Sequence, residues 1–562
     1  MPHPLLRLAP LFRGRLGLLT ASILGLIAAT GLNLAGPWLL ATAIDEDLAR
    51  GDREGLVVKA ALFTAVLAGN LGLTYAARVG IEICAQRAMK GLKRLLFDHL
   101  VEHDLAFHDQ HTSGRLITRV QGDTDALRVL FAEVLLALPA DVLLFVGMFS
   151  VMAVSAPEIA PLCAAVLPFY LLLFALFRKV APPYFLALRK VRSTLTGLLT
   201  ELVRAMPTLR GFRREQWARD RSEALNEEVF HKEFKSHMQG IWYFNSVVLV
   251  RSLGMVVLLA VGAWKVDQGT LTIGALVMGL GYLRQMFHPL IRLSHHLSTL
   301  ERARAAAIRV SDILDTPRNI TDPEEAVPWP GVELGMQLDE VRFEYVEGTP
   351  VLRGLSLDIP AGLHVGIVGA TGAGKSTVLN LLLRFRDPTA GSVRIDGVDL
   401  RDLAVEDLRQ RIGLVLQDVH LFAGSVLDNL GGDQDRARRA LDTLGIDMPL
   451  HHELRDGGSN LSRGERQLLT FARAIVDDPE ILVLDEATSA VDPETEALVQ
   501  GALSRLMAGR TVVTVAHRLA TVRACDTIAV LRAGVVEELG THDELIDAGG
   551  LYAALHQLQA AA

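Results

Sequence analysis

The chain contains Gly369-Ala370-Thr371-Gly372-Ala373-Gly374-Lys375-Ser376-Thr377, which follows an apolar strand pattern at 363–368 and precedes an apolar helix pattern at 378–383. This phosphate loop fits G-x-x-x-x-G-K-[ST]. Its glycines let successive backbone N–H groups point at phosphate oxygens at the start of a helix. Lys375 then reaches the outer phosphates, and the Ser376 hydroxyl coordinates Mg2+. A plain glycine turn is the alternative, but the Lys-Ser-Thr ending and both flanking patterns favour binding of a nucleoside triphosphate.

Length and composition indicate several domains, one of them in a membrane. A chain of 562 residues is too long for one hydrophobic core. Half of its residues are hydrophobic and the mean hydropathy is +0.31, with the surplus in the first half. The net charge of −8 gives no indication of a nucleic-acid partner. Three widely separated cysteines lack metal-ligand spacing and are predicted to be reduced structural thiols: Cys84, Cys163 and Cys525.

The first half carries segments long enough to cross a bilayer, which takes about 20 mostly apolar residues in a helix. Six such segments lie near 16–44, 56–83, 129–155, 158–180, 241–266 and 270–300. The short connections between them are acidic, whereas the two long connections are rich in Lys and Arg. Because Lys and Arg mark the cytoplasmic side, both long connections and both termini are predicted to lie inside the cell.

The two long connections keep apolar residues at three- and four-residue steps, over 84–105 and 186–235. This amphipathic pattern predicts that the spanning helices continue well into the cytoplasm. Each connection turns at a polar segment, at 107–114 and 211–215, where short helices could dock on another domain. Solvated helical hairpins are the alternative.

Near Asp315 the composition changes to a proline- and acid-rich linker, beyond which strand and helix patterns alternate. That alternation is typical of an α/β domain with a mainly parallel sheet. The sequence therefore predicts a multidomain protein: an all-α six-helix transmembrane domain with long cytoplasmic extensions (1–315), a linker (316–332) and an α/β P-loop ATPase domain (333–562).

Two carboxylates end an apolar strand at 481–486. A buried strand would deliver Asp485 to the metal, directly or through water, and Glu486 would polarise an attacking water. Many strands end in acids, so this pattern is weak alone and gains weight from its distance after a phosphate loop.

Leu461-Ser462-Arg463-Gly464-Glu465-Arg466-Gln467 opens the preceding helix pattern and resembles the LSGGQ signature of the ATP-binding cassette (ABC) family. We call residues 461–467 the signature segment. Further family positions occur in order: Tyr345 as an adenine-stacking aromatic, Gln417 in the Q-loop, Asp492 in the D-loop and His517 as the switch histidine. Taken singly, His517 would more often be a hydrogen-bonded polar residue and Tyr345 a packing residue. The layout resembles a bacterial half-transporter of the exporter type, also called type IV.

The resemblance implies a specific site chemistry. Two cassettes pair head to tail, so Ser462, Arg463, Gly464 and Glu465 would face ATP held by a second half-transporter. The family places Mg2+ on Ser376, Gln417 and Asp485, and ATP on residues 369–377 with Tyr345 and Gln417. Glu486 and His517 would align the attacking water, while Lys375 would stabilise the charge that develops on the phosphate.

The signature segment departs from the family at two positions, Arg463 for glycine and Glu465 for glutamine. Tolerated variation in a homodimer is one interpretation. The other is a heterodimer, in which this chain supplies the catalytic carboxylate Glu486 and its partner supplies the better signature.

Charged residues also lie within the predicted spans, where charge is costly and usually paired or functional. Asp141, Arg251 and Arg284 each lie about 14 or 15 residues from a predicted outer end, or about 21 Å along a helix. They are therefore predicted to share a layer near the midplane, with His288 about one turn deeper. An Asp–Arg pair that fixes helix packing is one interpretation. A substrate cavity of net positive charge, suited to anionic or amphiphilic cargo, is the other.

These patterns predict one half of a dimeric ABC transporter in the bacterial inner membrane. Hydrolysis of ATP, with Mg2+, would drive alternating access and export or flip a drug, lipid or peptide. An importer of the same fold, for instance of siderophores, shares every one of these motifs. A soluble, non-transporting ABC ATPase is disfavoured by the six spans and the basic inner connections. A membrane-anchored cassette that acts as a sensor is a further alternative, which vectorial flux in vesicles would discriminate.

Overall fold

The computed structural model describes residues 14, 16–134, 137–485, 493–516 and 522–560. The chain divides into two compact units. The first unit comprises Met1–Val101 and Gly114–Asp315, and its described secondary structure is helical; the second comprises Glu102–Ser113 and Thr316–Ala562 and is α/β. The predicted fold class, a helical domain followed by an α/β domain, is confirmed.

The first unit contains α1 (Leu16–Thr42), α2 (Arg53–Val101), α4 (Ser113–Thr118), α5 (Thr124–Val129), α6 (Ala137–Ser155), α7 (Ala160–Ala164), α8 (Leu167–Val180), α9 (Pro182–Arg204), α10 (Met206–Gly211), α11 (Glu215–Asp267) and α12 (Ile273–Leu314). Helix α3 (Leu105–Gln110) belongs to the second unit. π-Helical turns occur at Ala43–Leu48, Arg119–Asp123 and Leu130–Val134.

Several helices are much longer than a bilayer needs. Helix α2 has 49 residues and α11 has 53, so they run for about 74 and 80 Å, against a hydrocarbon core of about 30 Å. The predicted extension of the spanning helices beyond the membrane is therefore confirmed. The turn predicted at 211–215 separates α10 from α11, and there Arg213 has a left-handed φ of 53°.

Five helical segments in the described part of the chain are long and apolar enough to span a membrane: Leu16–Leu48, Arg53–Val101, Ser113–Ser155, Ala160–Arg204 and Glu215–Asp267. The sixth predicted span falls on α12, which has 42 residues but is not apolar enough to be among these five. Its first half carries Arg284 and His288, which lower its hydropathy. The multi-pass character follows from the other five.

Helix α1 packs against α2, α6 and α12. At the contact with α12, the buried Tyr282 hydroxyl donates a 2.6 Å hydrogen bond to the Leu34 carbonyl. Pro37 lies inside α1 three residues later, and proline weakens the helical hydrogen bonds of the preceding turn. The carbonyl that loses its backbone donor to Pro37 is that of Asn33, four residues earlier. The Tyr282 hydroxyl gives the neighbouring Leu34 carbonyl an additional hydrogen bond in this turn, where water is scarce.

The second unit contains a six-stranded sheet in the order β12-β11-β3-β10-β9-β6, a four-stranded antiparallel sheet in the order β2-β1-β4-β5, and the pair β7-β8. The strands are β1 (Gly335–Glu344), β2 (Pro350–Pro360), β3 (His364–Gly369), β4 (Ala390–Ile395), β5 (Val398–Asp399), β6 (Ile412–Val415), β7 (Gly424–Ser425), β8 (Glu453–Leu454), β9 (Ile481–Asp485), β10 (Thr511–Val515), β11 (Thr527–Arg532) and β12 (Val535–Gly540). Its further helices are α13 (Lys375–Leu382), α14 (Val405–Arg411), α15 (Val426–Asn429), α16 (Gln434–Leu444), α17 (Arg463–Ile475), α18 (Pro493–Met507), α19 (His542–Asp547) and α20 (Leu551–Ala560).

Five strands of the large sheet are parallel, since β11, β3, β10, β9 and β6 pair in one direction and only β12 runs against them. Their carboxyl ends therefore meet at one edge of the sheet, where ligands of open α/β folds bind. Val515 in β10 is level with Ile367 in β3 and with Asp485 in β9. The register thus brings the start of the phosphate loop and the end of β9 to the same edge.

Residues 316–332, which the sequence predicts to be a linker, are hydrogen-bonded to the α/β unit in several places. The Val327 N–H donates to the Asp402 carbonyl at 2.9 Å, and the Trp329 indole N–H donates to Glu480 at 3.2 Å. The Thr321 carbonyl accepts from Arg384 at 3.0 Å. These bonds hold the segment against the α/β unit.

Tyr282→Phe should destabilise the first unit by about 0.6–1 kcal/mol, because it leaves the Leu34 carbonyl next to Pro37 without its side-chain donor. The measurement is thermal unfolding of the full chain in lipid nanodiscs. Tyr75→Phe is the matched control, since Tyr75 is 73% exposed on α2. Equal transition temperatures for both variants would show that this hydrogen bond contributes nothing.

Candidate functional site

The phosphate loop has the backbone that its glycines predict. Gly369, Gly372 and Gly374 have φ values of +155°, +82° and +104°, a region that side chains disfavour. A Cβ at Gly369 would lie 2.4 Å from the Leu531 carbonyl oxygen of β11. Gly374 is the left-handed N-cap of α13. The loop therefore leads directly into a helix N-terminus, the geometry that binds phosphates.

Lys375 folds back across this loop. Its Nζ donates to the carbonyls of Gly369 at 2.8 Å and Ala370 at 3.1 Å, and the residue is only 4% exposed. A buried ammonium that is surrounded by backbone dipoles needs an anionic ligand or strong acceptors to offset its desolvation. The side chain is thus held over the loop, where outer phosphates of a nucleotide would lie.

The predicted metal-binding residues come to the same sheet edge from different strands. Ser376 lies in the first turn of α13, directly after the loop. Asp485 is the last residue of β9, two strands from β3, and Gln417 follows β6, the neighbour of β9. A hydroxyl, a carboxylate and an amide oxygen form a hard donor set of the kind that Mg2+ prefers.

The loop after β6 is fastened by two residues that the sequence motifs do not mark. Asn429 bonds the Phe422 backbone twice, at 2.9 Å each, through its side-chain oxygen and nitrogen. Arg473 on α17 donates to the carbonyls of Asn429 and His420 at 2.9 and 2.8 Å. Burial lowers the pKa of Arg473 below its ordinary value. These contacts tie the Q-loop region to the helix that carries the signature segment.

Tyr345 follows β1 and lies beside the start of α13. Its hydroxyl is 3.1 Å from the Thr377 hydroxyl and 3.3 Å from the Asn380 side-chain nitrogen, and the residue is 45% exposed. An exposed aromatic ring anchored to the phosphate-loop helix is suited to stacking on a base. The guanidinium of Arg386 lies 4.7 Å from the ring centroid, a contact that no motif predicts.

The signature segment begins α17 with a capping box. The Ser462 hydroxyl accepts from the Glu465 N–H at 3.2 Å, and the Glu465 carboxylate accepts from the Ser462 N–H at 2.7 Å. This reciprocal pair satisfies two N–H groups that a helix start leaves open. Glu465, one of the two departures from the family pattern, therefore has a local structural role. Ser462 is exposed and Gly464 is buried, and Arg463 is the first residue of the helix.

Three predicted catalytic or communicating residues, Glu486, Asp492 and His517, lie outside the described residues. The chain is described up to Asp485 at the end of β9 and up to Ala516 after β10.

In the first unit, the structure changes the predicted partner of Asp141. This buried carboxylate on α6 forms an ion pair with Arg292 and lies 3.5 Å from His296, both on α12. Arg292 is two turns beyond Arg284. The interpretation of an Asp–Arg pair that fixes helix packing thus applies to Asp141, with an arginine that the hydropathy pattern did not single out.

The other charges of the predicted layer are not neutralised by Asp141. Among the residues that the structure describes, neither Arg251 nor Arg284 forms an ion pair within 4.0 Å. Arg284 and His288 are exposed in the single chain, and Arg251 is half-buried.

A cavity of about 220 Å³ lies between α1, α2 and α12. Its wall combines apolar side chains such as Phe63 with three amides, Asn33, Asn70 and Gln285. The Asn70 amide donates to the Ala29 carbonyl at 2.6 Å. The Gln285 side-chain oxygen is buried without a hydrogen-bond partner in the described part of the chain.

Comparisons with known proteins agree with this architecture. The family model for the ABC transporter transmembrane region matches residues 19–290, and the model described as ABC transporter matches residues 352–489. A probable multidrug resistance ABC transporter ATP-binding/permease protein of Bacillus subtilis (strain 168) is 33% identical over 523 residues, covering 90% of this chain and 77% of the relative. An ATP-dependent lipid A-core flippase of Syntrophus aciditrophicus (strain SB) is 32% identical over 501 residues, covering 87% and 83%.

The solved structure of a bacterial Atm1-family ABC exporter with ATP bound matches with a TM-score of 0.79 and 25% identity, covering 97% of this chain and 98% of the other. The chain belongs to the ABC transporter family, as a membrane region fused to an ATP-binding domain. It is an ATP-hydrolysing, multi-pass membrane transporter with the fold of a dimeric exporter. The predicted family, ATPase activity and ATP-driven transport are confirmed.

Glu465→Ala should raise amide hydrogen exchange at 463–466 by about fivefold, because losing a capping interaction costs about 1 kcal/mol. Glu465→Gln should leave the exchange nearly unchanged, because a Gln amide oxygen still accepts from the Ser462 N–H. The measurement is hydrogen exchange of the full chain, read by mass spectrometry.

Thr541 and Glu544 form a second capping box at the start of α19, so Glu544→Ala is the matched control. It should affect exchange there and not at the signature segment. Unchanged exchange at 463–466 in Glu465→Ala would refute the structural role of Glu465.

Proposed function

We propose that two copies of this chain form an ABC exporter of the bacterial inner membrane, which uses ATP and Mg2+ to move an anionic amphiphile. One observation carries the nucleotide part of the proposal. Lys375, Asp485 and Gln417 follow three strands of one largely parallel sheet, at its carboxyl edge. The homodimer and the amphiphilic substrate are supported by further observations, which follow.

The residues at this edge fit the groups that the family requires. Backbone N–H groups at the start of α13 would receive the phosphates, and Lys375 would exchange its bonds to two loop carbonyls for the outer phosphate oxygens. Ser376, Gln417 and Asp485 would hold Mg2+. That ion, when bound, supplies positive charge that stabilises the leaving phosphate oxygens.

The remaining roles fall on residues known from the sequence. Glu486 and His517 would orient the attacking water and hold its proton, and Asp492 would contact the partner's site. Ser462, Arg463, Gly464 and Glu465 would face the nucleotide of the second copy, since the helix start at α17 presents N–H groups and the Ser462 hydroxyl. That hydroxyl accepts from the Glu465 N–H within its own segment, a role that does not use its proton, which would be donated to a phosphate oxygen.

A homodimer is supported by the accommodation of Glu465. Its carboxylate accepts a backbone hydrogen bond in the capping box instead of pointing, unpaired, at a phosphate. Ser462 and Gly464 are retained. The altered signature segment therefore has a structural explanation that does not require a partner with a better one.

An amphiphilic substrate of negative charge is supported by the balance of charge in the first unit. Asp141 is paired with Arg292, which leaves Arg251 and Arg284 without an acidic partner among the described residues. Unpaired arginines within spanning helices face water or an anionic ligand, because their burial in hydrocarbon is costly. The cavity beside Gln285 is largely apolar, which suits a hydrocarbon chain. Two relatives are named as a lipid flippase and a multidrug transporter.

Glu486→Gln should lower ATP hydrolysis of the purified chain in lipid by about 100-fold or more and retain ATP binding, since it removes the group that polarises water. Glu496→Gln, an exposed carboxylate on α18, should keep normal hydrolysis. The mass of the same particles should be that of two copies. If the wild-type chain is monomeric, or forms dimers that bind ATP and barely hydrolyse it, the homodimer is wrong and a heterodimer is indicated.

Arg251→Ala and Arg284→Ala should each weaken the stimulation of ATP hydrolysis by a long-chain fatty acid by about tenfold, the loss of one charge-assisted hydrogen bond. Stimulation by the uncharged methyl ester of that acid should not change. Arg94→Ala is the control, since its side chain is 85% exposed on α2. If both variants leave transport in vesicles and stimulated hydrolysis unchanged, the proposal of an anionic substrate bound by these arginines is wrong. ATP-dependent uptake of the fatty acid into intact cells would indicate an importer.

A further inference from the structure

The α3 segment, defined as Glu102–Ser113, belongs to the α/β unit and carries an acidic residue that forms an ion pair within that unit. The Asp109 carboxylate lies 2.5 Å from an Arg386 guanidinium nitrogen. The Arg386 side chain is 14% exposed, whereas Asp109 is 55% exposed. A cation that has lost most of its hydration depends on its counter-charge more than an exposed pair does.

The same guanidinium covers the ring of Tyr345, with 4.7 Å between Arg386 Cζ and the ring centroid. A cation over an aromatic face is attracted by the ring's negative quadrupole, more strongly when the cation is desolvated. The Arg386 Nε is buried and lacks a hydrogen-bond partner among the described residues. The ring contact and Asp109 are therefore the interactions that offset the burial of this charge.

Tyr345 is in turn tied to the phosphate-loop helix, through the Thr377 and Asn380 side chains at 3.1 and 3.3 Å. The contacts form one unbroken path, from Asp109 through Arg386 and Tyr345 to α13. The ring is held at its edge by the hydroxyl and on one face by the guanidinium.

The α3 segment is itself firmly placed, so Asp109 is a fixed point rather than a mobile surface charge. Asp104 caps α3 by accepting from the Phe107 N–H at 3.0 Å, and accepts from the Asn319 N–H at 2.8 Å. Burial opposes ionisation of Asp104, but the bonds from Asn319 and Phe107 outweigh it and hold its pKa below the ordinary value. Phe107 is stacked between His103 and His111, at 4.2 and 4.4 Å between ring centroids.

We propose that Arg386 is a positioning residue for the adenine-stacking ring of Tyr345, and that the α3 segment sets the affinity for the base through Asp109. The inference rests on the proposed adenine contact of Tyr345 and deepens it. With Asp109 in place, the guanidinium fixes one face of the ring and leaves the other for adenine. Without Asp109, the Arg386 guanidinium moves to a hydrated position, and the Tyr345 ring loses the contact that orients it.

The test is the affinity of the full chain, in lipid nanodiscs, for ATP and for inorganic triphosphate, which shares the phosphates and lacks the base. Asp109→Asn and Arg386→Gln should each weaken ATP binding by about fivefold, the size of a partly buried cation–π contact. Triphosphate binding should not change. The double variant should bind ATP no more weakly than Arg386→Gln alone, because both changes break one path.

Arg386→Lys keeps the charge near Asp109 and should restore part of the ATP affinity. Asp399 and Arg401 form a comparable pair at 2.7 Å elsewhere in the unit, so Arg401→Gln is the control and should leave both affinities unchanged. Equal weakening of ATP and triphosphate by Asp109→Asn would overturn the proposal, since it would indicate a general loss of structure.

Tyr345→Ala separates this inference from the proposed function. If it leaves the ratio of the two affinities unchanged, the adenine contact is wrong and the inference fails with it. If it lowers ATP affinity alone while Asp109→Asn and Arg386→Gln have no effect, the adenine contact stands and the role of Arg386 is refuted.

Discussion

The close packing of the phosphate loop against its neighbours is the constraint on which the α/β unit depends. A side chain at Gly369 would meet the Leu531 carbonyl at 2.4 Å, and one at Gly374 would meet the Leu352 side chain at 2.7 Å. The loop therefore passes close to β11 at Gly369 and close to β2 at Gly374, where a larger residue would not fit without a shift. This close packing sets the position at which α13 begins. The strand order then places the other site residues around that helix start.

The helical unit obeys a different constraint, the satisfaction of polar groups where water is scarce. The carbonyl beside Pro37 accepts from Tyr282, the Asp141 carboxylate pairs with Arg292, and Asp45 accepts from the Gly274 N–H at 2.7 Å at the start of α12. Each of these interactions joins a donor on α12 to an acceptor on a different element. They favour one register of α12 against these elements, because a hydrogen bond or ion pair is lost once its two groups move apart.

Local patterns predicted the parts of this protein that depend on neighbours along the chain. The strand–loop–helix of the nucleotide site, the long helical extensions and the alternation of strands after Asp315 all follow from such patterns. Contacts between distant segments were not predictable in this way. Hydropathy placed Asp141 near Arg251 and Arg284, but α12 brings Arg292 to it instead, two turns away. Family resemblance marked Glu465 as a departure, and only the helix start shows that it bonds the Ser462 backbone. No pattern marked Arg386, because an arginine is an ordinary residue until its neighbours are known.

The α/β unit is discontinuous in sequence, because it takes in Glu102–Ser113 from between α2 and α4 as well as everything from Thr316 onward. It is therefore not a cassette that can be cut out at one boundary. Expressed from residue 316, it would lack the carboxylate that accepts from the Asn319 N–H and the counter-charge of a buried arginine. Such a fragment would expose the surface that the α3 segment covers, next to the Tyr345 ring. Nucleotide affinities measured on it would describe that exposed patch as much as the transporter.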